Sequence, residues 1–412
     1  MNPAKIALLF VVLLDVMGQG LVIPVLTTIL TDPSQSILPA DTPKEKRQFL
    51  FGLTMGLFFL SWFFGAAFIA KLSDFIGRRF GILICLGGGL TGYVLTIVGL
   101  DLKSFALVLA ARIVTGFTAG NQPIAQAALV DASANEEEKT RSMGFVVVSI
   151  SLGLVAGPLI GGLLSAKEIF GSFASLQAPF YAAAGLVAVN IAMIVLFFKE
   201  PSFVRRPAQV KITDVLLTLW EASKRPLVLK ISAVFFCSQL ALNSFFVFLD
   251  DYLESRFGFD TLQNSIVLII FGIAIAVTGA VIVAPITKHF PKQRIIYGSL
   301  FAMAAGLALF ILNPIAFLSY FMIIPFVVAW AVNYPVMLTL FSGSVGPSEQ
   351  GWVMGVTVAL YTLGAGIISM VGGHFMAIDR NLPFLVAIAA VSLAAVMVFT
   401  LWRGKAFQDL AD

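Results

Sequence analysis

The sequence predicts an all-α membrane protein with twelve spanning helices. Hydrophobic residues make up 59% of the 412 residues, only 12% are charged, and the mean hydropathy is +0.97. A spanning helix needs about 20 mostly apolar residues, and a helix satisfies its own backbone hydrogen bonds inside a bilayer. Stretches of that length follow one another along almost the whole chain. This pattern excludes a soluble globular fold.

Short polar segments separate the apolar stretches and set the limits of the predicted spans. The longest of them, residues 199–225, is a linker between an N-terminal bundle, residues 1–198, and a C-terminal bundle, residues 226–412. We expect six helices in each bundle. The predicted spans are residues 5–30, 48–72, 79–100, 104–130, 140–165, 176–198, 227–250, 262–287, 294–312, 314–342, 350–374 and 382–402.

Positive charge is distributed unevenly between the two sides of the membrane. With the N-terminus inside, Lys and Arg are concentrated in the inner segments, above all in and beside the linker. Cytoplasmic loops carry this excess, so both termini and the linker are predicted to face the cytoplasm. The net charge of +4 is therefore a signal of topology, and no nucleic-acid partner is expected. The basic linker is either an amphipathic helix on the anionic inner leaflet or a plain connection.

Residue types that could carry catalysis or hold a metal are widely scattered. Cys85 and Cys237 fall inside apolar stretches, His289 lies in an inner loop, and His374 lies at an outer helix end. These positions form no ligand cluster for a catalytic metal, and the chain has no phosphate-binding Gly-Lys-Ser/Thr loop. We therefore expect no catalytic residue, no metal and no cofactor, and we do not expect an enzyme.

The loop between the second and third predicted spans combines an acid with two cations. Asp74 is followed by Gly77, Arg78 and Arg79 at a cytoplasmic helix end. The simpler interpretation is an anchor of the positive-inside kind. In the alternative, Asp74 bonds exposed amides at a neighbouring helix start and Arg78 pairs with an acid, so that the loop holds one conformational state closed.

Small residues line one face of the fifth predicted span. Gly153, Gly157 and Gly161 are four residues apart, and a bare face lets another helix approach closely. Pro158 removes a backbone donor and permits a bend. Ordinary packing and a conformational role both fit this pattern.

Two charged residues are predicted inside spans of the first half. Asp15 lies near the middle of the first span, with Gln19 one turn later on the same face, and Arg112 lies near the middle of the fourth. A carboxylate held away from water can gain and lose a proton, and intramembrane charges are usually functional. Asp15 and Arg112 are therefore candidates for proton coupling, and the alternative is a salt bridge that only ties two helices together. Gln122 and Gln126 extend the polar face of the fourth span.

The spans of the second half carry amides and aromatic groups in place of charges. With many of the 38 Phe residues around them, these groups predict an aromatic cavity with a few hydrogen-bonding side chains. Such a cavity suits a bulky amphipathic substrate better than a sugar. A cationic substrate would meet Asp15, and an anionic one would meet Arg112. The predicted substrate-binding residues, including those of the first half, are Gln19, Gln122, Gln126, Gln239, Asn243, Asn333, Tyr334 and Tyr361.

Three acids cluster at the outer end of the seventh predicted span. They are Asp250, Asp251 and Glu254. Clustered acids at a helix end are typical of a solvated surface, and we expect these to be exposed. The alternatives are a binding site and an outer gate formed with Lys44, Lys46 or Arg47.

Several of these motifs resemble those of the major facilitator superfamily. Residues 70–79 are similar to its loop signature, Gly-x-Leu-Ala-Asp-Arg-x-Gly-Arg-Lys. The fifth span, with the order Gly-x-x-x-Gly-Pro-x-x-Gly-Gly, is similar to the signature of the antiporter branch. Residues 14–26 resemble the start of the tetracycline/proton antiporters and their twelve-span drug-exporter relatives. The chain departs from the tetracycline exporters at Gly92 and near Met303, where they carry acids.

The resemblance implies exchange of protons for an outgoing small amphipathic molecule or drug by alternating access. Asp15 is then the main candidate for proton carriage, and the proton gradient is the energy source. The expected partners are a small-molecule substrate, protons and the lipid bilayer, and we expect a monomer in a bacterial inner membrane. The alternatives are a dedicated exporter of one endogenous metabolite, such as a siderophore, and a non-transporting membrane receptor.

Overall fold

The computed structural model describes residues 2–133, 135–200, 211–346 and 349–402. Helices fill most of these ranges, and no β-strand occurs within them. The helices are α1 (Pro3–Thr31), α2 (Lys44–Ile76), α3 (Arg78–Asp101), α4 (Phe105–Phe117), α5 (Asn121–Asp131), α6 (Glu136–Ser165), α7 (Lys167–Phe170), α8 (Ala178–Phe197), α9 (Asp214–Ser223), α10 (Pro226–Phe257), α11 (Thr261–Val277), α12 (Val283–His289), α13 (Lys292–Leu312), α14 (Ser319–Met322), α15 (Ile324–Gly343), α16 (Gln350–Ile378) and α17 (Leu382–Leu401).

The helices confirm the predicted class of membrane protein. In the described part of the chain, 11 helical segments are long and apolar enough to cross a bilayer. One of them, Thr261–His289, joins α11 and α12 through the short π-helix Thr278–Ile282. The remaining predicted span, residues 104–130, corresponds to two shorter helices, α4 and α5. The twelve predicted spans are thus matched by eleven continuous helical segments and one interrupted segment.

The described helices form two compact units. The first comprises Met1–Asp214 with Phe259–Ile269, and the second comprises Val215–Gly258 with Ile270–Asp412. Inside the first unit, α1 packs against α6 and α8. Inside the second, α10 packs against α16 and α17, and α13 packs against α15. The predicted linker boundary at residues 199–225 stays a prediction, because residues 201–210 lie outside the described residues.

The described end of the linker is an amphipathic helix. In α9, Val215 and Ala222 are buried, whereas Leu216 and Trp220 are exposed. Lys224 follows one turn after Trp220, and its Nζ lies 3.1 Å from the centroid of the indole ring. The exposed side of α9 therefore carries an apolar strip that ends in a cation.

Candidate functional site

The fourth span is interrupted in the middle of the first unit. Helix α4 ends at Phe117, and α5 begins at Asn121. Pro123 has no N–H to donate to a preceding carbonyl, and its ring would clash with the carbonyl of Ala119 in a continuous helix. Proline is tolerated in a first helical turn, so the helix restarts just ahead of it. The break leaves the N-terminal amides of α5 inside the bundle.

A cavity of about 80 Å³ lies beside this break. Helices α1 to α5 supply nearly all of its walls, and all of its lining residues belong to the first unit. Its polar and aromatic lining residues are Asp15, Gln19, Phe58, Phe59, Cys85, Tyr93, Arg112, Thr115, Thr118 and Asn121. The structure thus brings together both predicted proton-coupling residues and one predicted substrate residue, Gln19.

Asp15 faces the start of α5. Its carboxylate accepts a hydrogen bond from the backbone N–H of Gln122, and the side chain is partly accessible. A helix N-terminus carries a partial positive charge, so it stabilises a carboxylate at this place. The sequence predicted that the side chain of Gln122 binds substrate, but in the structure this residue contributes its backbone N–H to Asp15. The side chains of Gln122 and Gln126 lie outside the cavity lining.

Arg112 is buried in the same cavity, with only 8% of its surface exposed. Its Nη2 donates to Thr115 Oγ1 at 3.1 Å, and its guanidinium carbon lies 4.5 Å from the ring centroid of Phe58. Its Nε is buried with no hydrogen-bond partner in the described ranges. Among the described ion pairs there is none between Asp15 and Arg112. The salt bridge considered as an alternative is therefore not formed in this structure.

Tyr93 is a cavity residue that the sequence pattern did not single out. A Cβ added at Gly18 would lie 2.5 Å from its hydroxyl oxygen, so the glycine on α1 leaves room for the phenol. The phenol lines the same cavity as Asp15 and Arg112. Its position directly after Gly92, where the resemblance implied an acid, was a usable signal.

Two of the predicted substrate residues of the second unit, Asn243 and Asn333, are held by internal hydrogen bonds. Asn333 is fully buried; its amide nitrogen donates to Ser299 Oγ at 2.8 Å, and its amide oxygen accepts from Ser238 Oγ at 3.2 Å. Asn243 donates to the backbone oxygen of Gln239 at 2.8 Å. These bonds tie α10, α13 and α15 together.

An aromatic pair lies next to these amides. The indole of Trp330 donates to Gln239 Oε1 at 2.9 Å and stacks on Tyr334, with ring centroids 5.2 Å apart. Tyr361 lies on α16 and is half-buried. Gln239 Nε2 is buried without a hydrogen-bond partner among the described residues. Trp330 was not predicted, although its spacing of four from Tyr334 placed both on one helix face.

The loop between α2 and α3 is held by carboxylates. Arg78 pairs with Asp74 at 2.5 Å and with Asp131 at 3.6 Å. The first amides of α3, those of Arg78 and Arg79, both donate to the Glu200 carboxylate at 2.7 Å. Glu200 therefore accepts hydrogen bonds from amides at a helix N-terminus, which is the kind of contact that the sequence predicted for Asp74. Gly77 has φ +106°, a conformation that favours glycine at this turn.

The glycine face of α6 packs directly on α1. A Cβ added at Gly153 would lie 2.7 Å from the backbone oxygen of Leu13, and one at Gly157 would lie 2.4 Å from that of Met17. Gly161 is similarly close to Leu21, at 3.0 Å. The next position after Gly157, Pro158, touches α1 at Gly20. These residues allow two backbones to meet, and α6 continues through Pro158.

The prediction that the acids of the seventh span are exposed is wrong for Asp250 and Asp251. Asp250 is 0% exposed and Asp251 is 2% exposed. Helix α10 continues to Phe257, beyond the predicted end at residue 250. The two acids therefore lie inside a packed helix, with Leu249 and Tyr252 also buried around them.

Spanning helices with ionisable groups in an internal cavity are typical of a secondary transporter. The chain belongs to the Major Facilitator Superfamily, whose model matches residues 8–369. It is 29% identical to the tetracycline resistance protein, class C, of Escherichia coli over 363 residues, 88% of this chain and 87% of that protein. It is 25% identical to the quinolone resistance protein NorA of Staphylococcus aureus (strain MSSA476), over 97% of this chain and 96% of that protein.

The fold is similar to that of solved transporters. A bacterial homologue of the human lysosomal transporter Spinster, in an inward-facing and occupied conformation, matches with a TM-score of 0.73 and 15% identity over 97% of each chain. The D-xylose-proton symporter matches with a TM-score of 0.72 and 14% identity, over 96% of this chain and 97% of that one. The predicted membership and fold are confirmed, and the protein is a multi-pass membrane protein with bacterial relatives.

Proposed function

We propose that this protein is a proton-coupled antiporter that exports a small amphipathic organic molecule or drug by alternating access. The observation that carries the proposal is the position of Asp15, a partly accessible carboxylate in the cavity of the first unit. The resistance proteins to which the chain is similar act, by their names, on tetracycline and quinolones. Export from the cell would give resistance to either compound.

The bond between Asp15 and α5 supplies a means of coupling. The ionised carboxylate accepts from the Gln122 amide and is stabilised by the helix N-terminus. Protonation removes the negative charge and weakens this bond. A proton on Asp15 therefore changes how firmly α1 holds α5, and the same cavity receives the substrate. In the proposed cycle, substrate and proton occupy the cavity alternately as it opens to either side.

The proposal also covers the location, the partners and the energy source of the protein. We place it in a bacterial inner membrane as a monomer, with both termini cytoplasmic. Substrate, protons and lipid are its partners. It is not an enzyme, and the proton gradient takes the place of a cofactor. The exposed apolar strip of α9, which ends at Lys224 beside Trp220, supports contact of the linker with the inner leaflet.

Two other functions are kept as alternatives. A dedicated exporter of one endogenous metabolite, such as a siderophore, would use the same cavity and the same proton site. A membrane receptor without transport is favoured by no observation on the described residues. The two transport functions differ only in substrate range.

Transport in proteoliposomes tests the proposal. With an imposed pH gradient and no ATP, we expect uptake of tetracycline or a quinolone, and a protonophore should abolish it. Asp15→Asn keeps the side-chain size but cannot release a proton, so pH-driven uptake should fall to background while the protein stays folded. Asp41→Asn, at an exposed acid of the α1–α2 loop, is the matched control. Normal uptake by Asp15→Asn would remove Asp15 from the mechanism, and uptake that needs ATP would exclude proton coupling.

A further inference from the structure

We propose that Arg112 receives the carboxylate of an organic acid, so that this cavity binds the anionic end of an aromatic substrate. This inference rests on the proposed function and names a substrate class for it. The sequence left the charge of the substrate open, because an acid, Asp15, and a base, Arg112, both lie near the middle of predicted spans in the first half. The arrangement of their partners distinguishes the two possibilities.

The negative charge in the cavity already has a partner. Asp15 accepts from the Gln122 amide at the start of α5, where the helix provides partial positive charge. A cationic substrate would have to compete with that helix end for the same carboxylate. The acid is therefore partly neutralised by the fold itself.

The positive charge has no comparable partner. Lys5, Lys71 and Arg225 each pair with a carboxylate. Arg47, which is also buried, donates to the backbone oxygens of Thr42 and Pro39. By contrast, the hydrogen bond of the Arg112 side chain within the described residues goes to one hydroxyl, that of Thr115. A buried guanidinium with so few acceptors is left with unused hydrogen-bonding capacity.

The unused donors of Arg112 match a carboxylate. A guanidinium offers five N–H groups in a planar fork, and a carboxylate accepts two of them in parallel. The buried Nε of Arg112 has no acceptor among the described residues, and the side chain lines the cavity. An incoming carboxylate would complete these bonds and compensate the buried charge. A neutral amide could accept a hydrogen bond but would leave the charge uncompensated.

The walls indicate what the carboxylate is attached to. Phe58 lies against the guanidinium, Phe59 stacks on Trp62 at 6.2 Å, and Tyr93 closes another side. The volume of about 80 Å³ is small beside the roughly 300–1,000 Å³ of drug-sized pockets. The cavity therefore accommodates the acidic end of a substrate and the first part of an aromatic body, and not a whole drug-sized molecule.

Binding of a matched pair of probes tests the inference. The purified full-length protein is titrated at neutral pH with 2-naphthoate and with 2-naphthamide, which share the ring and differ in charge. Calorimetry should show the acid binding at least about tenfold more tightly than the amide. Arg112→Gln should reduce the affinity for the acid to that for the amide, and Arg112→Lys should retain part of the preference. Lys103→Gln, at an exposed cation of the α3–α4 turn, should leave both affinities unchanged.

Equal affinity for the two probes, a preference for the amide, or no binding of the acid would each overturn the inference. So would an unchanged preference in a folded Arg112→Gln protein. The wild-type comparison is decisive even where that variant fails to fold. The proposed function is judged separately, by pH-driven uptake of tetracycline or a quinolone. If uptake persists without a preference for the acid, only the anionic site is lost; if the preference is found without uptake, the site stands and antiport does not.

Discussion

The two units treat their buried polar residues in different ways. In the first, Asp15 and Arg112 face a cavity, and they are not paired with each other among the described ion pairs. In the second, Asn333 is enclosed by hydrogen bonds to two serines on other helices. Polar groups inside a membrane are tolerated where they are satisfied or face a cavity; Asn333 is an example of the first case, and Asp15 and Arg112 are examples of the second. The charged groups of the first unit can therefore contact a ligand in the cavity, whereas the amide network around Asn333 holds helices of the second unit together.

Aromatic packing strengthens the contrast. In the second unit, Phe245 contacts Phe310, Phe326 and Phe384, with ring centroids 5.2, 4.6 and 5.9 Å away. In the first unit, glycines on α6 lie directly on the backbone of α1. Aromatic rings fill this part of the second unit, and glycines bring the backbones of α1 and α6 together in the first. A substitution of the same kind should therefore have different effects in the two units.

The largest effect is expected at the glycine face of the first unit. Gly157→Leu places a branched side chain where even a Cβ would lie 2.4 Å from the backbone oxygen of Met17, and a backbone cannot rotate away as a side chain can. We expect a loss of about 3 kcal/mol or more in stability, at or above the upper end of the usual range for overpacking, measured as a lower melting temperature in detergent. Gly144→Leu, on the same helix but with open space around it, is the matched control. Equal melting of the two variants would show that the α1–α6 contact is not tight in the protein.

An intermediate effect is expected at the amide network of the second unit. Asn333→Leu leaves Ser238 and Ser299 without their shared partner, which should cost about 1–3 kcal/mol in stability. We expect the affinity of the folded variant for the transported compound to stay unchanged. Gln19→Leu, in the cavity of the first unit, should do the reverse, lowering affinity with little change in melting temperature. A loss of affinity in Asn333→Leu would restore Asn333 to the substrate site and weaken the contrast between the units.

The smallest effect is expected at a loop ion pair of the second unit. Arg225 donates to both carboxylate oxygens of Glu349, at 2.9 and 2.6 Å, and holds the pKa of Glu349 below its ordinary value. The stabilisation is then fully present above the ordinary glutamate pKa of about 4.3 and is lost as the pH falls through the lower folded value. Both side chains are well exposed, so the effect should be small and screened by salt.

The melting temperatures of wild-type protein and Glu349→Gln measure this effect across acidic pH. Their difference should be largest at neutral pH and should vanish in strong acid. Glu45→Gln, at an exposed acid of α2, should show no such trend. A difference between wild type and Glu349→Gln that grew on acidification would contradict the assigned pairing.

The spans and the charged residues inside them could be predicted from residue type alone. Hydropathy placed nearly every spanning helix, because a bilayer requires long apolar stretches whatever their neighbours are. Asp15 and Arg112 stood out for the same reason: a charge in such a stretch is rare. The prediction was wrong at Asp250 and Asp251, where the end of the apolar run was taken as the end of the helix. Their burial depends on α10 continuing inside the packed bundle.

The chain by itself determined the class of protein, the family and the two ionisable groups at the membrane interior, since apolar length and local motifs are properties of short segments. Only the tertiary structure decided which partner each group has. It set Asp15 against the broken start of α5 and left Arg112 beside a phenylalanine ring. It also placed Glu200 on the amides of α3, more than 120 residues earlier. Such pairings depend on how distant helices pack, and no local sequence pattern specifies the depth and rotation at which two helices meet.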